Sequence, residues 1–182
     1  MTETALLVMD VQRSMVSRFG SDPDYLPRLR QAIAHARATD VLVGHVAVGF
    51  RPGHPEVSPA NATFGRMIGT DAFTPADPGA EIHPDIAPAP GDPVFTKKRV
   101  SAFAGTDLDL VLRSSGIRHL VLAGIATSGC VLSTVRQAFD LDYRLTVLSD
   151  GCLDADPEVH RVLTTAVFPG QADVVTIADW TS

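Results

Sequence analysis

Short apolar segments alternate with segments of helical periodicity along the whole chain, and this alternation constrains the fold more than any other feature. Six apolar runs have the pattern of strands buried on both faces: residues 5–9, 41–48, 93–96, 119–123, 144–148 and 173–177. Helical spacing lies between most of them, at residues 25–39, 106–116, 130–141 and 156–168. Strands that alternate with helices form mostly parallel, helix-covered sheets. The sequence therefore predicts an α/β fold.

The order of the strands follows from the connections between them. Because crossovers between parallel strands are right-handed, we expect a doubly wound, six-stranded sheet with the order 3-2-1-4-5-6 and helices on both faces. In that order the first and fourth strands are neighbours, and ligands bind beyond their carboxyl ends. Asp10 ends the first strand and Cys130 follows the fourth. The topology thus predicts that a carboxylate and a thiol share one crevice.

The size of the chain fits one domain. It has 182 residues, of which 45% are hydrophobic and 20% charged, as in ordinary globular proteins. We predict a single domain over residues 1–182, with a long loop excursion at residues 49–93 that is rich in Pro, Gly, Ala and Asp. Loops of this length are commonly functional lids or interface segments.

Composition argues against several classes of partner. The net charge of −6 is spread along the chain, so we expect no nucleic-acid partner. No apolar run approaches the roughly 18 residues that span a membrane, and the N-terminal segment lacks the basic region of a signal peptide, which predicts a cytoplasmic protein without a membrane partner. Two cysteines and scattered histidines predict no disulfide scaffold, no metal and no cofactor.

Cys130 follows an apolar strand and a turn of small residues, and it opens a segment of helical spacing. A thiol in the first turn of a helix lies near unpaired N–H groups and a partial positive charge, which can lower its pKa. The same N–H groups can hold an oxyanion. A free cysteine is also a common small core residue. The local sequence leaves both interpretations open, and the expected proximity of Asp10 favours catalysis.

Other candidates have weaker signals. Lys97 and Lys98 are adjacent on an extended segment, so at most one of them faces the crevice. Aromatic residues near the crevice are candidates for an apolar pocket, although such residues more often belong to the core. Five residues are candidate substrate contacts: Gln12, Phe19, Phe50, His54 and Phe103.

Three segments together resemble the isochorismatase-like cysteine hydrolase family: LLVMDVQ with Asp10, FTKKRVSAF with Lys97, and LAGIATSGCV with Cys130. The resemblance covers most of the chain and is weakest over residues 49–93. In the family the lysine stands four residues before the serine of the SAF motif, which selects Lys97 over Lys98. The resemblance implies a six-stranded parallel sheet and a catalytic triad of Asp10, Lys97 and Cys130.

The resemblance also implies a cis peptide bond at Ile125-Ala126, which would turn the Ala126 N–H toward the site. There it would form an oxyanion hole with the Cys130 N–H. Asp10 would take the thiol proton, the thiolate would attack a carboxamide, and water would release the acid from a thioester. Cleavage of the C–N bond of a small amide, with release of ammonia or an amine, is the leading hypothesis.

Two differences from other members of the family narrow the choice of reaction and substrate. The stretch HVAVGFRPGHPEVSP lacks the histidine pattern with which nicotinamidases of the family bind a metal. Family members that hydrolyse the vinyl ether of isochorismate generally lack the nucleophilic cysteine. Vinyl-ether hydrolysis, with acid chemistry at Asp10, and a catalytically silent ligand-binding or scaffold protein stay open as alternatives. The family commonly forms oligomers, so a homodimer or homotetramer is expected, and the excursion at residues 49–93 is expected to select the substrate.

Overall fold

A parallel sheet forms the centre of the protein. A computed structural model describes residues 3–20 and 22–182. The six strands are β1 (Thr4–Met9), β2 (Leu42–Val48), β3 (Val94–Lys97), β4 (His119–Ile125), β5 (Arg144–Leu153) and β6 (Asp173–Val175). Every neighbouring pair is parallel, and the order is β3-β2-β1-β4-β5-β6. The predicted fold class and strand order are confirmed.

Helices cover both faces of this sheet. They are α1 (Arg13–Phe19), α2 (Tyr25–Ala38), α3 (Leu108–Ser114), α4 (Leu132–Asp140), α5 (Pro157–Val162) and α6 (Ile177–Trp180). Leu7 of β1 packs in one core cluster with residues of α3 and α4, whereas Leu6 packs in a second cluster with residues of α2. Both faces of β1 are therefore buried, which explains its unbroken apolar run. Within the described residues, no helix has the length and apolar character needed to cross a membrane.

The excursion at residues 49–93 folds against the carboxyl ends of the strands. It contains three short 3₁₀ helices, at Phe64–Met67, Pro78–Ala80 and Pro84–Ile86. Gln12 and Ile82 form an isolated antiparallel bridge, which ties the end of this segment to the chain that follows β1.

All six strands differ from the sequence expectation by at least one residue at an end, and the differences in β5 and β6 have a clear cause. β5 continues through Asp150 and Cys152, because it pairs again with β4 after an irregularity in register, with Gly124 opposite Cys152. β6 ends at Val175, because the next residue, Thr176, caps α6 through a hydrogen bond from the Asp179 N–H. Both errors arise because tertiary pairing and capping, rather than local hydrophobicity, decide where a short strand stops.

Candidate active site

The site begins where β1 and β4 end at the centre of the sheet. Met9 pairs with Gly124, and a Cβ on Gly124 would lie 2.1 Å from the Met9 carbonyl oxygen. Gly124 also has a φ of +145°, which side chains disfavour. The two strand ends approach this closely only because residue 124 is glycine. The next residue after β1, Asp10, has a φ of 54°, and it leaves the sheet to line a cavity.

Lys97, the last residue of β3, forms a buried ion pair with Asp10. Its Nζ lies 2.8 Å from Asp10 Oδ2, and the two residues are only 2% and 4% exposed. The ammonium also donates to the carbonyl oxygens of Arg99, at 3.0 Å, and Val100, at 3.2 Å. Three acceptors match its three protons. Lys98 instead donates to the carbonyl oxygen of Gly49, so the structure brings Lys97, not Lys98, to the site.

Cys130 lies in the same cavity as Asp10 and Lys97. It is 3% exposed and belongs to a π-helical turn, Thr127–Val131, that precedes α4. Single π-helical turns are rare and often occur at functional sites. The helix expected over residues 130–141 therefore begins earlier, as this π-helical turn that continues directly into α4, and Cys130 lies in its first turn.

The peptide bond before this turn has the geometry that the resemblance implied. The Ile125-Ala126 bond is cis, and Ala126 lines the cavity beside Cys130. The turn is also held from outside the cavity, since the buried hydroxyl of Thr127 lies 2.8 Å from Nδ1 of His160. The nucleophile candidate and both oxyanion-hole candidates thus come from one short segment after β4.

Burial controls the protonation of the three groups. Burial, and after it the negative charge of Asp10, raises the pKa of the Cys130 thiol far above its ordinary value, although the charge of Lys97 opposes them. Burial also raises the pKa of Asp10, against the attraction of Lys97. For Lys97, burial lowers the pKa, but the interactions with Asp10 and with Cys130 in its thiolate form outweigh it and the net shift is upward.

These shifts correct the expected low pKa of Cys130. The thiol lies before the α-helix, beside a carboxylate and away from solvent, so desolvation and like charge outweigh any helix dipole. The raised pKa of Cys130 favours its neutral thiol form, and Asp10 is a hydrogen-bond partner of that thiol.

The cavity has a volume of about 200 Å³. An apolar cavity of about 150 Å³ holds a benzene molecule, so this one admits only a small ligand. Most of its remaining wall is apolar: Val48, Phe64, Met67, Phe73, Val100 and Ile125. α1 adds Met15 and Arg18, and the excursion adds Thr63. A more open groove of about 450 Å³ lies beside the ends of β2 and β3, but Asp10, Lys97 and Cys130 do not line it.

Gln12, a candidate substrate contact, is used inside the protein instead. Its side chain is fully buried. It donates to the carbonyl oxygens of Val48, at 2.9 Å, and Ala80, at 2.6 Å, and it accepts from the Val48 N–H at 3.1 Å. Gln12 therefore holds the excursion against β2 and does not line the cavity.

The other four substrate-contact candidates also lie off the cavity wall. Phe50 packs on His54 and Phe64, and Nε2 of buried His54 donates a hydrogen bond to the Ala72 carbonyl oxygen at 2.8 Å. Phe103 packs on Tyr143 in the core. Phe19 packs under Arg18. Their positions depend on the path of the loops, which the sequence pattern does not specify.

Several wall residues were not among the sequence candidates, yet a spacing signal exists for them. Met15 and Arg18 are three residues apart on α1, and Phe64 and Met67 are three residues apart on a 3₁₀ helix. Residues at this spacing share a helix face. The signal identifies a face, but it does not say that the face lies on the cavity. Among residues 3–20 and 22–182, no group of three or more His, Cys, Asp or Glu side chains is placed to hold a metal ion.

The doubly wound parallel sheet carries a carboxylate, an ammonium group and a thiol in one cavity. This combination is typical of a class of hydrolases. The chain belongs to the isochorismatase family of hydrolases, because the profile of the isochorismatase domain matches residues 4–179. The family membership expected from the three sequence segments is confirmed.

Similar proteins support this assignment. The uncharacterized isochorismatase family protein YwoC of Bacillus subtilis (strain 168) is 34% identical over 167 residues, which cover 92% of this chain and 86% of that protein. The ureidoacrylate amidohydrolase RutB of Stutzerimonas stutzeri (strain A1501) is 36% identical over 185 residues, covering 86% of this chain and 72% of RutB. The crystal structure of N-carbamoylsarcosine amidase from Thermoplasma acidophilum, 28% identical, has a TM-score of 0.77 and covers 97% of each chain.

Proposed function

We propose that the protein hydrolyses the C–N bond of a small amide, with Cys130 as the nucleophile. One observation carries the proposal: Cys130 shares a buried cavity with Asp10, which is paired with Lys97 through Oδ2 and is a hydrogen-bond partner of the Cys130 side chain. Two similar proteins, an amidohydrolase and an amidase by name, support amide substrates.

The first half of the reaction forms a thioester. Because the thiol is neutral at rest, its proton moves to Asp10 Oδ1 as the sulfur attacks the amide carbonyl carbon. The backbone N–H groups of Ala126 and Cys130 hold the oxyanion, an interaction in which one donor can contribute about 3–4 kcal/mol. Asp10 then gives the proton to the departing nitrogen, and ammonia or an amine leaves. Lys97 stays charged and stabilises Asp10 whenever it is ionised.

The second half consumes one water molecule. Asp10 takes a proton from water as the oxygen attacks the thioester carbon, and the proton returns to the sulfur as the C–S bond breaks. The carboxylic acid leaves and the neutral thiol is restored. One amide and one water thus give one acid and one ammonia or amine.

Ammonia release from a panel of small primary amides and ureido compounds tests the proposal, together with the intact mass of acyl-enzyme trapped by rapid acid quench. We expect Cys130→Ala to reduce turnover at least about 10⁴-fold, as for other covalent nucleophiles. Cys152→Ala is the matched control, because Cys152 is also a buried free cysteine but lies off the cavity. Full turnover by Cys130→Ala would overturn the nucleophilic role.

Vinyl-ether hydrolysis is the second candidate. The raised pKa of Asp10, which burial produces, favours a carboxylic acid that can protonate an enol ether carbon. In that case Cys130→Ala keeps its activity on isochorismate while Asp10→Asn loses it. A protein that turns over neither isochorismate nor any amide of the panel would instead fit the silent ligand-binding alternative.

A further inference from the structure

Arg18 is a charged residue of the cavity wall that the proposed reaction does not use. It lines the same cavity as Asp10 and Cys130, but it is exposed on α1. Within the part of the chain that the structure describes, no carboxylate forms an ion pair with it. A cation that lines a ligand cavity and is paired with no carboxylate of the protein is available to an anionic ligand.

Arg18 lies where the cavity opens to solvent, because it lines the cavity and is exposed. Its Cζ lies 5.3 Å from the centroid of the Phe19 ring, a cation–π contact that limits its freedom. Asp154 borders a neighbouring surface depression with Arg18. That carboxylate is already engaged, since its Oδ2 accepts the Ser128 N–H at 2.6 Å.

The charges of the cavity indicate what kind of ligand fits. Asp10 and Lys97 form an ion pair at the buried end, so their formal charges cancel and Arg18 leaves the cavity with one net positive charge. Between the two ends the wall is apolar, with Met15, Met67 and Phe73 among its residues. A complementary ligand has an amide at one end, a short apolar body, and one negative charge at the other end.

We infer that Arg18 binds the carboxylate of the substrate and so selects small amides that carry an acidic group. This inference rests on the proposed function, because it needs the amide carbonyl at Cys130. The planar guanidinium binds a carboxylate through two parallel hydrogen bonds. The cavity volume of about 200 Å³ limits the apolar body to a few carbon atoms.

Alkylation of Cys130 by two reagents of nearly equal size tests the inference in the native protein. Iodoacetate is an anion and iodoacetamide is neutral, and peptide mass spectrometry separates Cys130 from Cys152. We expect Arg18→Gln to lower the ratio of the iodoacetate rate to the iodoacetamide rate about tenfold, the size of one lost charge-assisted contact. Arg18→Lys keeps the positive charge but loses the planar guanidinium. Its rate ratio should therefore lie between those of the wild-type protein and Arg18→Gln.

Arg13→Gln is the matched control. Arg13 is an exposed arginine on the same helix, but it pairs with Glu81 at 2.9 Å and does not line the cavity, so its ratio should stay within about twofold of wild type. If both reagents alkylate Cys130 and Arg18→Gln leaves the ratio unchanged, the inference fails while the proposed function stands. If Cys130→Ala keeps full turnover in the ammonia-release assay, the proposed function fails and the inference fails with it.

A pair of substrates gives a second measurement. Succinamate and its methyl ester have the same amide and differ in one charge. We expect kcat/KM for succinamate to exceed that for the ester at least about tenfold, and Arg18→Gln to remove the difference mainly through KM. Faster turnover of the ester by the wild-type protein would overturn the inference.

Discussion

The cavity has a floor and a wall that are built in different ways. The floor consists of Asp10, Lys97 and Cys130, which follow or end three strands and are 2–4% exposed. The wall combines strand residues such as Val48 and Ile125 with side chains from α1 and from the excursion at residues 49–93, among which Met67 and Phe73 are only half-buried. The sheet topology fixes where the floor residues meet, whereas the wall depends on the path of a long loop. The chemistry is thus constrained by the fold, and the choice of substrate is free to vary.

The two regions also differ in what holds them. The Lys97 ammonium of the floor is bound by a carboxylate and two backbone carbonyls. The wall relies on turn chemistry within the loop: Phe73 has a φ of 55°, and its N–H donates to Asp77 Oδ2 at 2.8 Å. A residue with a large side chain keeps a left-handed backbone conformation only where the surrounding contacts hold it. Changes to the floor should therefore affect folding and chemistry together, and changes to the wall should affect neither strongly.

Lys97→Met should have the largest effect on stability and turnover, because it removes the ion pair of the floor. The substitution leaves Asp10 buried without its cation, and the loss of one partner of a buried pair typically destabilises a protein by about 3–5 kcal/mol. We also expect turnover to fall at least about 10³-fold, since Asp10 would hold its proton. Urea denaturation and ammonia release measure the two effects.

Two further variants identify the cause of the losses of stability and turnover in Lys97→Met. Lys98→Met, on the neighbouring residue that donates to Gly49, should keep most of the activity, and an equal loss in both variants would contradict the role of Lys97. The double variant Asp10→Asn with Lys97→Met should regain much of the lost stability but none of the activity. A double variant as unstable as Lys97→Met alone would mean that the buried charge is not what destabilises it.

Gly124→Ala should break the floor through the backbone. A Cβ at residue 124 would lie 2.1 Å from the Met9 carbonyl oxygen, so β1 and β4 must separate next to Asp10. We expect a loss of about 2–4 kcal/mol in the free energy of unfolding, from the clash and the positive φ together. Gly170→Ala is the control, since its Cβ would meet nothing within 4 Å, and its effect should stay below about 1 kcal/mol. Equal melting temperatures for the two variants would contradict the close approach.

The floor residues could largely be predicted from the sequence, whereas the residues of the loop could not. Asp10 and Cys130 could be placed together because short apolar strands specify the sheet order, and the sheet order specifies which strand ends meet. Lys97 needed the family resemblance, since an extended pair of lysines does not say which one faces inward. Gln12, His54 and Phe50 could not be placed, because their side chains are used to hold the loop and its path is set by tertiary contacts. The pKa of Cys130 was expected in the wrong direction because burial outweighs local helix position.

The pH dependence of Cys130 alkylation tests that correction. Burial and Asp10 raise the pKa of the thiol in the folded protein, so the thiolate is scarce at neutral pH and becomes more abundant as the pH rises. The rate of alkylation by iodoacetamide should therefore increase about tenfold per pH unit from pH 7 to 9, without levelling at the ordinary thiol pKa of about 8.5. A plateau reached below pH 8 would show a preformed thiolate and restore the expectation from the sequence.

Met67→Ala should have the smallest effect, because it alters the wall and leaves the floor intact. Met67 ends the 3₁₀ helix Phe64–Met67 and lines the cavity, so truncation widens the space beside the substrate without touching the ion pair. We expect KM for a preferred amide to rise about three- to tenfold, kcat and the iodoacetamide rate to stay within about twofold, and stability to fall by about 1 kcal/mol. Ile68→Ala is the matched control, since Ile68 is the next residue, is 38% exposed and does not line the cavity. Because the floor is fixed by strand ends and the wall by the loop, a loss of kcat in Met67→Ala as large as the rise in KM would mean that the two regions act as one unit.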